Sequence, residues 1–283
     1  MAASDGFDEW VGRSERVDDL VTAAPYAALA ATLDRDGALP AAGTPIPAPW
    51  HWLYFLPRTR RSDVGADGHA LRGGFLPPVP LPRRMWAGSD LTFHSPLRVG
   101  DAVTRVSTID SIEQKAGRSG MLVFVKVRHE ISRTADGAPA ITEFHDIVYR
   151  DVPRPEAASA APPRPPVAAF ERRWLPDEVL LFRYSALTFN GHRIHYDRRY
   201  ATEVERYPGL VVHGPLIATL LLDLLRDQQP AARVTRFTFR AMRPLFDTHP
   251  FTVCGAPRPD GTFSLWALDH AASLAMEASA TVA

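Results

Sequence analysis

The sequence is poor in the residue types on which several common chemistries depend. Its 283 residues contain one cysteine, Cys254, which excludes an internal disulfide framework and any zinc site built from several thiolates. Its only lysines, Lys115 and Lys126, lie in a segment patterned like β-strands, so Schiff-base and P-loop chemistry are not expected. The glycine-rich fingerprints of nucleotide and dinucleotide sites and the G-x-S-x-G elbow of serine hydrolases are also absent.

Charge of one sign and long hydrophobic runs are lacking as well. Lys+Arg and Asp+Glu both number 32, so the chain has no net charge and no basic excess of the kind that binds a nucleic-acid duplex. No apolar run approaches the roughly 20 residues that span a bilayer. The acidic residues 1–10 lack the basic and apolar regions of a secretory signal. We therefore expect a cytoplasmic protein that binds neither nucleic acid nor membrane.

Proline is concentrated in one stretch, residues 151–169, which is the strongest candidate domain boundary. Its prolines, separated by small residues and arginine, exclude a helix or a central strand and favour an extended spacer. We therefore predict an N-terminal half of residues 1–150 and a C-terminal half of residues 170–283, joined by this linker. A weak internal repeat, in which Thr92–Leu97 resembles Thr238–Leu245, favours two copies of one fold.

Each half is predicted to begin with helical material and to end with strands. Val17–Leu33 has helical apolar spacing with Pro25 inside it, which predicts two short helices, and the aromatic run Trp50–Leu56 predicts a buried strand. Pro215 opens a helix that is apolar on nearly every face as far as Leu225 and must therefore be surrounded by protein. Further strands are predicted at residues 89–94, 102–114, 121–132, 140–150, 233–240, 250–257, 262–270 and 274–282. A buried helix wrapped by an antiparallel sheet places the chain in the α+β class.

The densest cluster of reactive side chains is residues 188–197, Thr-Phe-Asn-Gly-His-Arg-Ile-His-Tyr-Asp. A histidine with a pKa of ~6.5 accepts and returns a proton at neutral pH, which makes His195 a candidate general base. The helix that starts at Gly214 presents free backbone N–H groups and the positive end of its dipole, a setting suited to a developing oxyanion. A metal site formed by His192, His195 and Asp197 is not expected, because this close spacing without an H-E-x-x-H pattern is a weak indication.

Four segments resemble the MaoC-type (hydratase 2) enoyl-thioester hydratases, which are hot-dog folds with a motif close to S/T-x-D-x-N-P-I-H. In the C-terminal half these segments are Asn190–His195 and Pro208–Leu216. In the N-terminal half, Gly73–Pro78 and Arg83–Gly88 resemble the two-domain branch, which includes mesaconyl-C4-CoA and itaconyl-CoA hydratases and mitochondrial hydroxyacyl-thioester dehydratases. The resemblance implies a double hot-dog, in which a catalytic C-terminal half is paired with an N-terminal half that shapes the acyl pocket and has no acid–base motif.

The resemblance also implies roles for the residues at matching positions. His195 matches the histidine that activates water, and Gly214 matches the helix-start glycine whose N–H binds the thioester oxygen. Asn190 stands where the motif has its catalytic aspartate, while His192 and Arg193 replace its Asn-Pro. Because an amide orients a water but cannot accept its proton, the general-base role falls to His195. For Asn190 a turn-forming role is an equal alternative, and for His192 structural hydrogen bonding is favoured over catalysis.

Arginine and tryptophan supply the remaining candidates for substrate binding. Arg84, Arg193 and Arg240, together with His192, are candidates to hold CoA phosphates or a substrate carboxylate, since guanidinium groups pair bidentately with both. A solvated surface position is the simpler alternative for each arginine. Trp86 is a candidate wall of the acyl pocket, with a place in the core as its simpler alternative.

The reaction implied by the resemblance is the reversible addition of water to a 2-enoyl-CoA, with CoA as part of the substrate and no separate cofactor or metal. The branch favours a small branched dicarboxylic acyl group, as in mesaconyl-C4-CoA or itaconyl-CoA. A fatty 3-hydroxyacyl-thioester dehydratase and a thioesterase are alternatives within the enzymes. A non-catalytic acyl-CoA-binding protein is the alternative outside them, because Asn190 replaces the aspartate. Pairing of two double hot-dogs into a homodimer is left open.

Overall fold

One antiparallel sheet of ten strands extends through the residues that the computed structural model describes, 6–117, 120–151 and 167–283. Its strands in chain order are β1 (Ser14–Leu20), β2 (Arg83–Phe93), β3 (Ala102–Gly117), β4 (Gly120–Arg133), β5 (Pro139–Arg150), β6 (Phe170–Trp174), β7 (Val234–Ala241), β8 (Phe251–Pro257), β9 (Phe263–Leu268) and β10 (Leu274–Val282). The described α-helices are α1 (Ala23–Thr32), α2 (Glu178–Leu187) and α3 (Gly214–Gln228). The content of helices and antiparallel strands confirms the predicted α+β class.

The sheet is built from two sets of five strands with the same internal order. Across the sheet the order is β1-β3-β4-β5-β2-β7-β10-β9-β8-β6, so each set runs first, third, fourth, fifth, second from its outer edge to the centre. The two sets meet where β2 pairs with β7, with Leu91 opposite Phe237. The offset of 146 residues that relates Thr92 to Thr238 also relates Leu91 to Phe237. The weak internal repeat therefore marks the strand pair at the centre of the sheet.

Helix α3 packs against the sheet of the C-terminal half and is buried along most of its length. It follows His213 and carries proline in its first turn, where the missing N–H costs no hydrogen bond. Its one buried carboxylate, Asp223, is 1% exposed and lies 2.6 Å from the guanidinium of Arg35, a residue of the N-terminal half. Arg172 and Arg226 also pair with this carboxylate. Buried carboxylates require such partners, and this one joins the two halves.

Two predicted elements of the N-terminal half are wrong. Val17 and Leu20 lie in strand β1, which pairs with β3, because edge pairing with a neighbouring strand overrides the helical spacing of these apolar residues. A single helix follows, and Pro25 lies in its first turn rather than dividing it. The aromatic run forms a buried 3-10 turn, Trp50–Leu53, instead of a strand, since the amides of Trp50 and Trp52 each donate to the carbonyl three residues earlier.

The halves differ most in what connects their first strand to the centre of the sheet. In the C-terminal half this connection contains α2 and the long helix α3. In the described N-terminal half the connection contains α1 and two short 3-10 turns, Trp50–Leu53 and Arg61–Asp63. The predicted linker, residues 151–169, lies largely outside the described residues, so the division at that point stays a prediction. None of the helices described here has both the length and the apolar character needed to cross a membrane.

Candidate active site

The reactive segment found in the sequence forms a tight loop after helix α2. Asp177 caps the start of this helix by accepting a hydrogen bond from the amide of Leu180 at 2.8 Å. Beyond the helix, the side-chain oxygen of Asn190 accepts the amide hydrogen of His192 at 3.0 Å. This is an Asx turn, so the structure places Asn190 in the turn-forming role that the sequence offered as one of two alternatives. A 3-10 turn, Arg193–His195, then carries the candidate base.

His195 is buried and held in one tautomer. Its Nδ1 lies 2.7 Å from the carbonyl oxygen of Val211, and because a carbonyl only accepts, Nδ1 carries the proton. The lone pair of Nε2 is therefore free. Burial lowers the pKa of His195 to about 4, so the ring is neutral at pH 7. A neutral imidazole with a bare Nε2 is the form that a general base needs.

His213 supports His195 from the start of helix α3. The two rings are stacked, with centroids 3.7 Å apart and planes 18° from parallel. The Nε2 of His213 shares a hydrogen bond of 2.8 Å with the hydroxyl of Ser185. His213 directly precedes Gly214, so the candidate base and the candidate oxyanion donor are linked through one residue. An ideal Cβ on Gly214 would meet no atom within 4 Å, which leaves open space at the helix start, where backbone N–H groups lack intrahelical partners.

A loop of the N-terminal half is packed directly against the reactive loop. A Cβ on Gly68 would lie only 1.7 Å from the carbonyl oxygen of Gly191, so the two backbones touch where Gly68 has a φ of +90°. The amide of Arg193 donates to the carbonyl oxygen of Asp67 at 2.9 Å. This contact brings Asp67 and His69 to the site. Sequence reasoning missed both residues, although the Asp-Gly-His triplet lies just before the N-terminal segment that carried the family resemblance.

His192 lies between this loop and His195. Its ring centroid is 4.0 Å from that of His69 and 5.4 Å from that of His195. Burial lowers the pKa of His192 to about 2, with the neighbouring His69 and His195 contributing in the same direction. Donor atoms of Asp67, His69 and His192 all lie within 4.8 Å of one another, which makes this trio the described group best placed to hold a metal ion. The trio considered in the sequence is not assembled, because Asp197 is paired with Arg193 at 2.7 Å.

Of the three candidate arginines, Arg84 is the one whose charge acts on His69 and His192. It lies on β2 opposite Tyr149. Burial lowers the pKa of His69, and the positive charge of Arg84 lowers it further. The same charge acts on His192. No carboxylate forms an ion pair with Arg84 in the ranges that the structure covers. A cation without an anionic partner beside a candidate base is a candidate anion site.

The other candidate binding residues have different surroundings. Arg193 is committed to Asp197 and to the carbonyl oxygen of Ala66, at 2.7 and 2.9 Å. Arg240 is exposed, and strand alternation points it away from the face on which its neighbour Phe239 is buried. The structure therefore does not bring Arg240 to the histidines. Trp86 packs against His145 with ring centroids 4.1 Å apart and planes tilted by 37°, and its ring lies 5.9 Å from that of Phe239 across the junction of the halves.

A buried carboxylate lies behind the tryptophan side chains Trp52 and Trp86. Glu143 is 3% exposed and accepts hydrogen bonds from Trp52 at 3.1 Å and from Ser89 at 3.0 Å. His51 adds a third contact at 3.2 Å. Ser89 in turn accepts from the indole N–H of Trp86 at 2.9 Å. Since each oxygen of this buried carboxylate has partners, the network holds the side chains of Trp52 and Trp86 in position.

The model of the family described as hydroxyacyl-thioester dehydratase type 2 matches residues 49–247. The chain is 49% identical to mesaconyl-C(4)-CoA hydratase of Chloroflexus aurantiacus over 252 residues, 89% of each chain. It is 28% identical to the mitochondrial hydroxyacyl-thioester dehydratase type 2 of Schizosaccharomyces pombe over 274 residues, 83% of this chain and 88% of that one.

Solved structures of low sequence identity share the fold. HtdX of Mycobacterium tuberculosis superposes with a TM-score of 0.67 at 20% identity, over 95% of this chain and 99% of that one. A MaoC-like dehydratase from Phytophthora capsici also gives a TM-score of 0.67, at 11% identity, over 96% of this chain and 95% of that one. The predicted double hot-dog is confirmed.

Proposed function

Because the chain belongs to the hydroxyacyl-thioester dehydratase type 2 family, we propose that it adds water reversibly to a 2-enoyl-CoA. The observation that carries this proposal is the neutral His195, whose Nδ1 is committed to the carbonyl oxygen of Val211 and whose Nε2 is free. The relative that is 49% identical is named a hydratase, and the relative that is 28% identical is named a dehydratase, which is the reverse reaction. CoA enters as part of the substrate, and the addition of water requires no redox cofactor.

The proposed reaction proceeds through an enolate. His195 Nε2 removes a proton from a water molecule, the water oxygen bonds to the β-carbon, and the electron pair of the C=C bond moves towards the thioester carbonyl. The enolate oxygen accepts a hydrogen bond from the N–H of Gly214, at the positive end of helix α3. The α-carbon then takes the proton back from His195. In this scheme Asn190 shapes the loop through its Asx turn.

For the acyl group, we propose a small branched dicarboxylic chain, as in mesaconyl-C4-CoA, with itaconyl-CoA as a second member of the class. In a C4 thioester of methylfumaric acid, the free carboxylate is attached to the carbon that receives the water. An anion-binding group is therefore required next to the base. Arg84 meets this requirement, since its charge acts on His69 and His192 and it has no ion-pair partner among the described carboxylates. The name of the relative that is 49% identical supports the same class.

A fatty 3-hydroxyacyl-thioester substrate is the second candidate, favoured by the name of the Schizosaccharomyces pombe relative. Such a chain carries no carboxylate and needs a long apolar channel, whereas the rings of His192 and His213 lie beside His195, and the charge of Arg84 acts on His192. Polar groups that lose water without gaining a partner weaken binding. This argument favours the dicarboxylic class, and the choice is decided by substrate preference.

The test compares mesaconyl-C4-CoA, crotonyl-CoA and a long 2-enoyl-CoA by loss of enoyl-thioester absorbance, and follows itaconyl-CoA, whose C=C bond is not conjugated with a C4 thioester, by chromatography of its product. We expect the dicarboxylic substrates to react fastest and His195→Ala to abolish the reaction. Arg84→Met should lower the preference for mesaconyl-C4-CoA over crotonyl-CoA by about 10- to 100-fold, the value of a hydrogen bond to a charged group. Arg236→Met, which removes an exposed arginine paired with Asp90, is the matched control and should leave the preference unchanged.

Each of the other results has a definite meaning. Preference for the long chain, unaffected by Arg84→Met, would assign the protein to the fatty branch. Binding of the thioesters, seen as a raised melting temperature without their consumption, would make it a non-catalytic acyl-CoA-binding protein. Release of free CoA in place of hydration would make it a thioesterase.

A further inference from the structure

The candidate base has no carboxylate beside it in the reactive loop. When Nε2 of His195 takes a proton, a positive ring forms in a buried position, and among the described residues its hydrogen-bond partner is the neutral carbonyl of Val211. Burial of a charged ring without a counter-charge is unfavourable, as the lowered pKa of about 4 reflects. Where the family motif resembled by this chain has a carboxylate, the reactive loop has Asn190, whose side-chain oxygen accepts the amide of His192. The water that His195 deprotonates therefore needs another group to hold it.

We propose that Asp67 and His69, from the N-terminal half, hold the attacking water in place. Nε2 of His69 accepts one hydrogen of this water while His195 takes the other, and Asp67 acts through His69 as a positioning residue. The proposal rests on the hydratase function proposed above. It adds two residues from the half that the sequence predicted to have no acid–base motif.

The geometry of the pair is that of an oriented imidazole. Asp67 Oδ2 lies 2.9 Å from Nδ1 of His69, and Asp67 Oδ1 accepts the backbone N–H of His69 at 3.0 Å. A carboxylate beside Nδ1 fixes the tautomer in which Nδ1 carries the proton and Nε2 is bare. The hydrogen bonds from His69 hold the pKa of Asp67 well below its usual range, so the carboxylate is ionised at neutral pH. His69 therefore has the same free nitrogen as His195, with a negative charge behind it.

The loop that carries the pair is held against the reactive loop by backbone contacts. Gly68 touches Gly191, and the amide and guanidinium of Arg193 donate to the carbonyl oxygens of Asp67 and Ala66, both at 2.9 Å. Three independent contacts at consecutive residues, Ala66 to Gly68, fix the position of the loop. The placement of the pair at the site is therefore built into the packing of the two halves.

The rings of His69 and His195 both lie beside the ring of His192. The ring of His192 lies 4.0 Å from that of His69 and 5.4 Å from that of His195, centroid to centroid. In the part of the chain that the structure describes, neither Nε2 of His69 nor Nε2 of His195 has a hydrogen-bond partner in the protein, and the ring of His192 has none either. None of these nitrogens is a fully buried atom without a partner, so they are open to water, and a water molecule can bind beside the rings.

In the proposed step, one hydrogen of the water points to Nε2 of His195 and the other to Nε2 of His69. The first proton passes to His195 as the water oxygen bonds to the β-carbon and the C=C electron pair moves to the thioester carbonyl. The second hydrogen stays on the oxygen and becomes the product hydroxyl. The positive charge formed on His195 disappears when His195 returns its proton to the α-carbon.

A metal ion is the competing occupant, because Asp67, His69 and His192 are also suitable ligands. The hydrogen bonds favour the role of Asp67 and His69 in holding water. Both oxygens of Asp67 already accept from His69, and Nδ1 of His69 is a donor, so a metal would have to break one of these contacts or bind with fewer ligands.

The test uses Asp67→Asn and His69→Ala, with Asp63→Asn as the matched control. The asparagine side-chain oxygen can still accept the backbone N–H of His69, which keeps the loop in place, whereas the NH2 group that replaces Oδ2 cannot accept from Nδ1. Asp63 lies in the same loop, is exposed, and binds the hydroxyl of Ser62. With the thioester that the wild type hydrates fastest, we expect kcat to fall by about 10²- to 10⁴-fold in Asp67→Asn and His69→Ala, with KM within about threefold. Asp63→Asn should keep the wild-type kcat. Added imidazole should restore part of the activity of His69→Ala and none of that of Asp67→Asn.

The outcomes separate the two proposals. If the wild type hydrates an enoyl-CoA and Asp67→Asn retains full kcat, the proposed role of the pair is overturned and the hydratase function stands. If the wild type hydrates none of the thioesters, the function is overturned and the pair with it. If dialysis against a chelator removes wild-type activity and zinc restores it, the trio is a metal site and the pair is overturned. A raised KM with unchanged kcat in Asp67→Asn and His69→Ala would also overturn the pair, since it would show a structural role.

Discussion

The backbone contact between Gly68 and Gly191 gives the sharpest prediction, because a matched glycine lies nearby. Gly68 has a φ of +90°, and a Cβ there would lie 1.7 Å from the carbonyl oxygen of Gly191. Gly73 has a φ of +86°, but its Cβ would meet nothing nearer than the Cβ of Pro78 at 3.8 Å. Alanine at either position adopts the same unfavourable backbone region. Alanine at Gly68 alone also collides with backbone that cannot move without displacing the reactive loop.

The expected magnitudes follow from this difference. The positive φ costs about 1–3 kcal/mol for a residue with a side chain, so Gly73→Ala should lower the free energy of unfolding by about this amount and Gly68→Ala, which also collides with Gly191, by more. Relief of the collision requires the loops to separate by more than 1 Å, from 1.7 Å towards the ordinary contact range above 3.4 Å. A displacement of about 1 Å at a catalytic site costs up to about 100-fold in rate. We therefore expect kcat/KM to fall about 100-fold in Gly68→Ala and less than about threefold in Gly73→Ala.

The assay is steady-state hydration of the preferred thioester, combined with urea unfolding of the wild type and both variants. Equal losses of kcat/KM in the two variants would show that backbone strain, and not contact between the loops, governs activity. Wild-type kcat/KM in Gly68→Ala would refute the reasoning altogether, since the docked loop would then have no part in the reaction.

Two further predictions concern stability. Burial lowers the pKa of His195 to about 4 and that of His145 to about 3, so between about pH 6.5 and pH 4 the unfolded chain binds more protons than the folded one. We therefore expect the free energy of unfolding, measured with urea, to decrease as the pH is lowered through this window, by up to about 1.4 kcal/mol per pH unit for each ring. A free energy of unfolding that is independent of pH there would contradict this prediction. Asp223→Asn removes the buried charge that pairs with Arg35 and should cost about 3–5 kcal/mol in the same assay. Asp90→Asn, at an exposed ion pair, should cost at most about 1 kcal/mol, and equal losses would show that the buried pair has no special weight.

The parts of the fold with strong local patterns were predictable from the sequence. Helix α3 was found from Pro215 and the all-round apolar run after it, and the structure extends it to Gly214–Gln228. Strands β4 and β5 and the turn between them follow from alternation and from the glycine at 137, whose φ is +67°. Val17 and Leu20 were assigned to a helix because their spacing also fits one, and only the pairing with β3 decides for a strand. The choice between helix and strand therefore depends on the partner strand and not on the sequence of the segment itself.

The candidate site was predictable only in its C-terminal part. His195 and Gly214 were found from residue type, helix start and family resemblance, and the structure gives His195 the tautomer and burial that its role requires, although both roles stay predictions. Asp67 and His69 were missed because they reach the reactive loop through a contact between distant parts of the chain, at Gly68 and Gly191. No periodicity or local motif encodes such a contact.

The pairing of Leu91 with Phe237 at the centre of the sheet has a consequence for the number of sites per molecule. If two identical hot-dog chains met at this strand pair, each binding groove would occur twice in the assembly. Here the two halves are covalently one chain and unequal, with α3 on one side and the Asp67 loop on the other. A tight-binding analogue should therefore titrate with a stoichiometry of one per 283-residue chain, and never two.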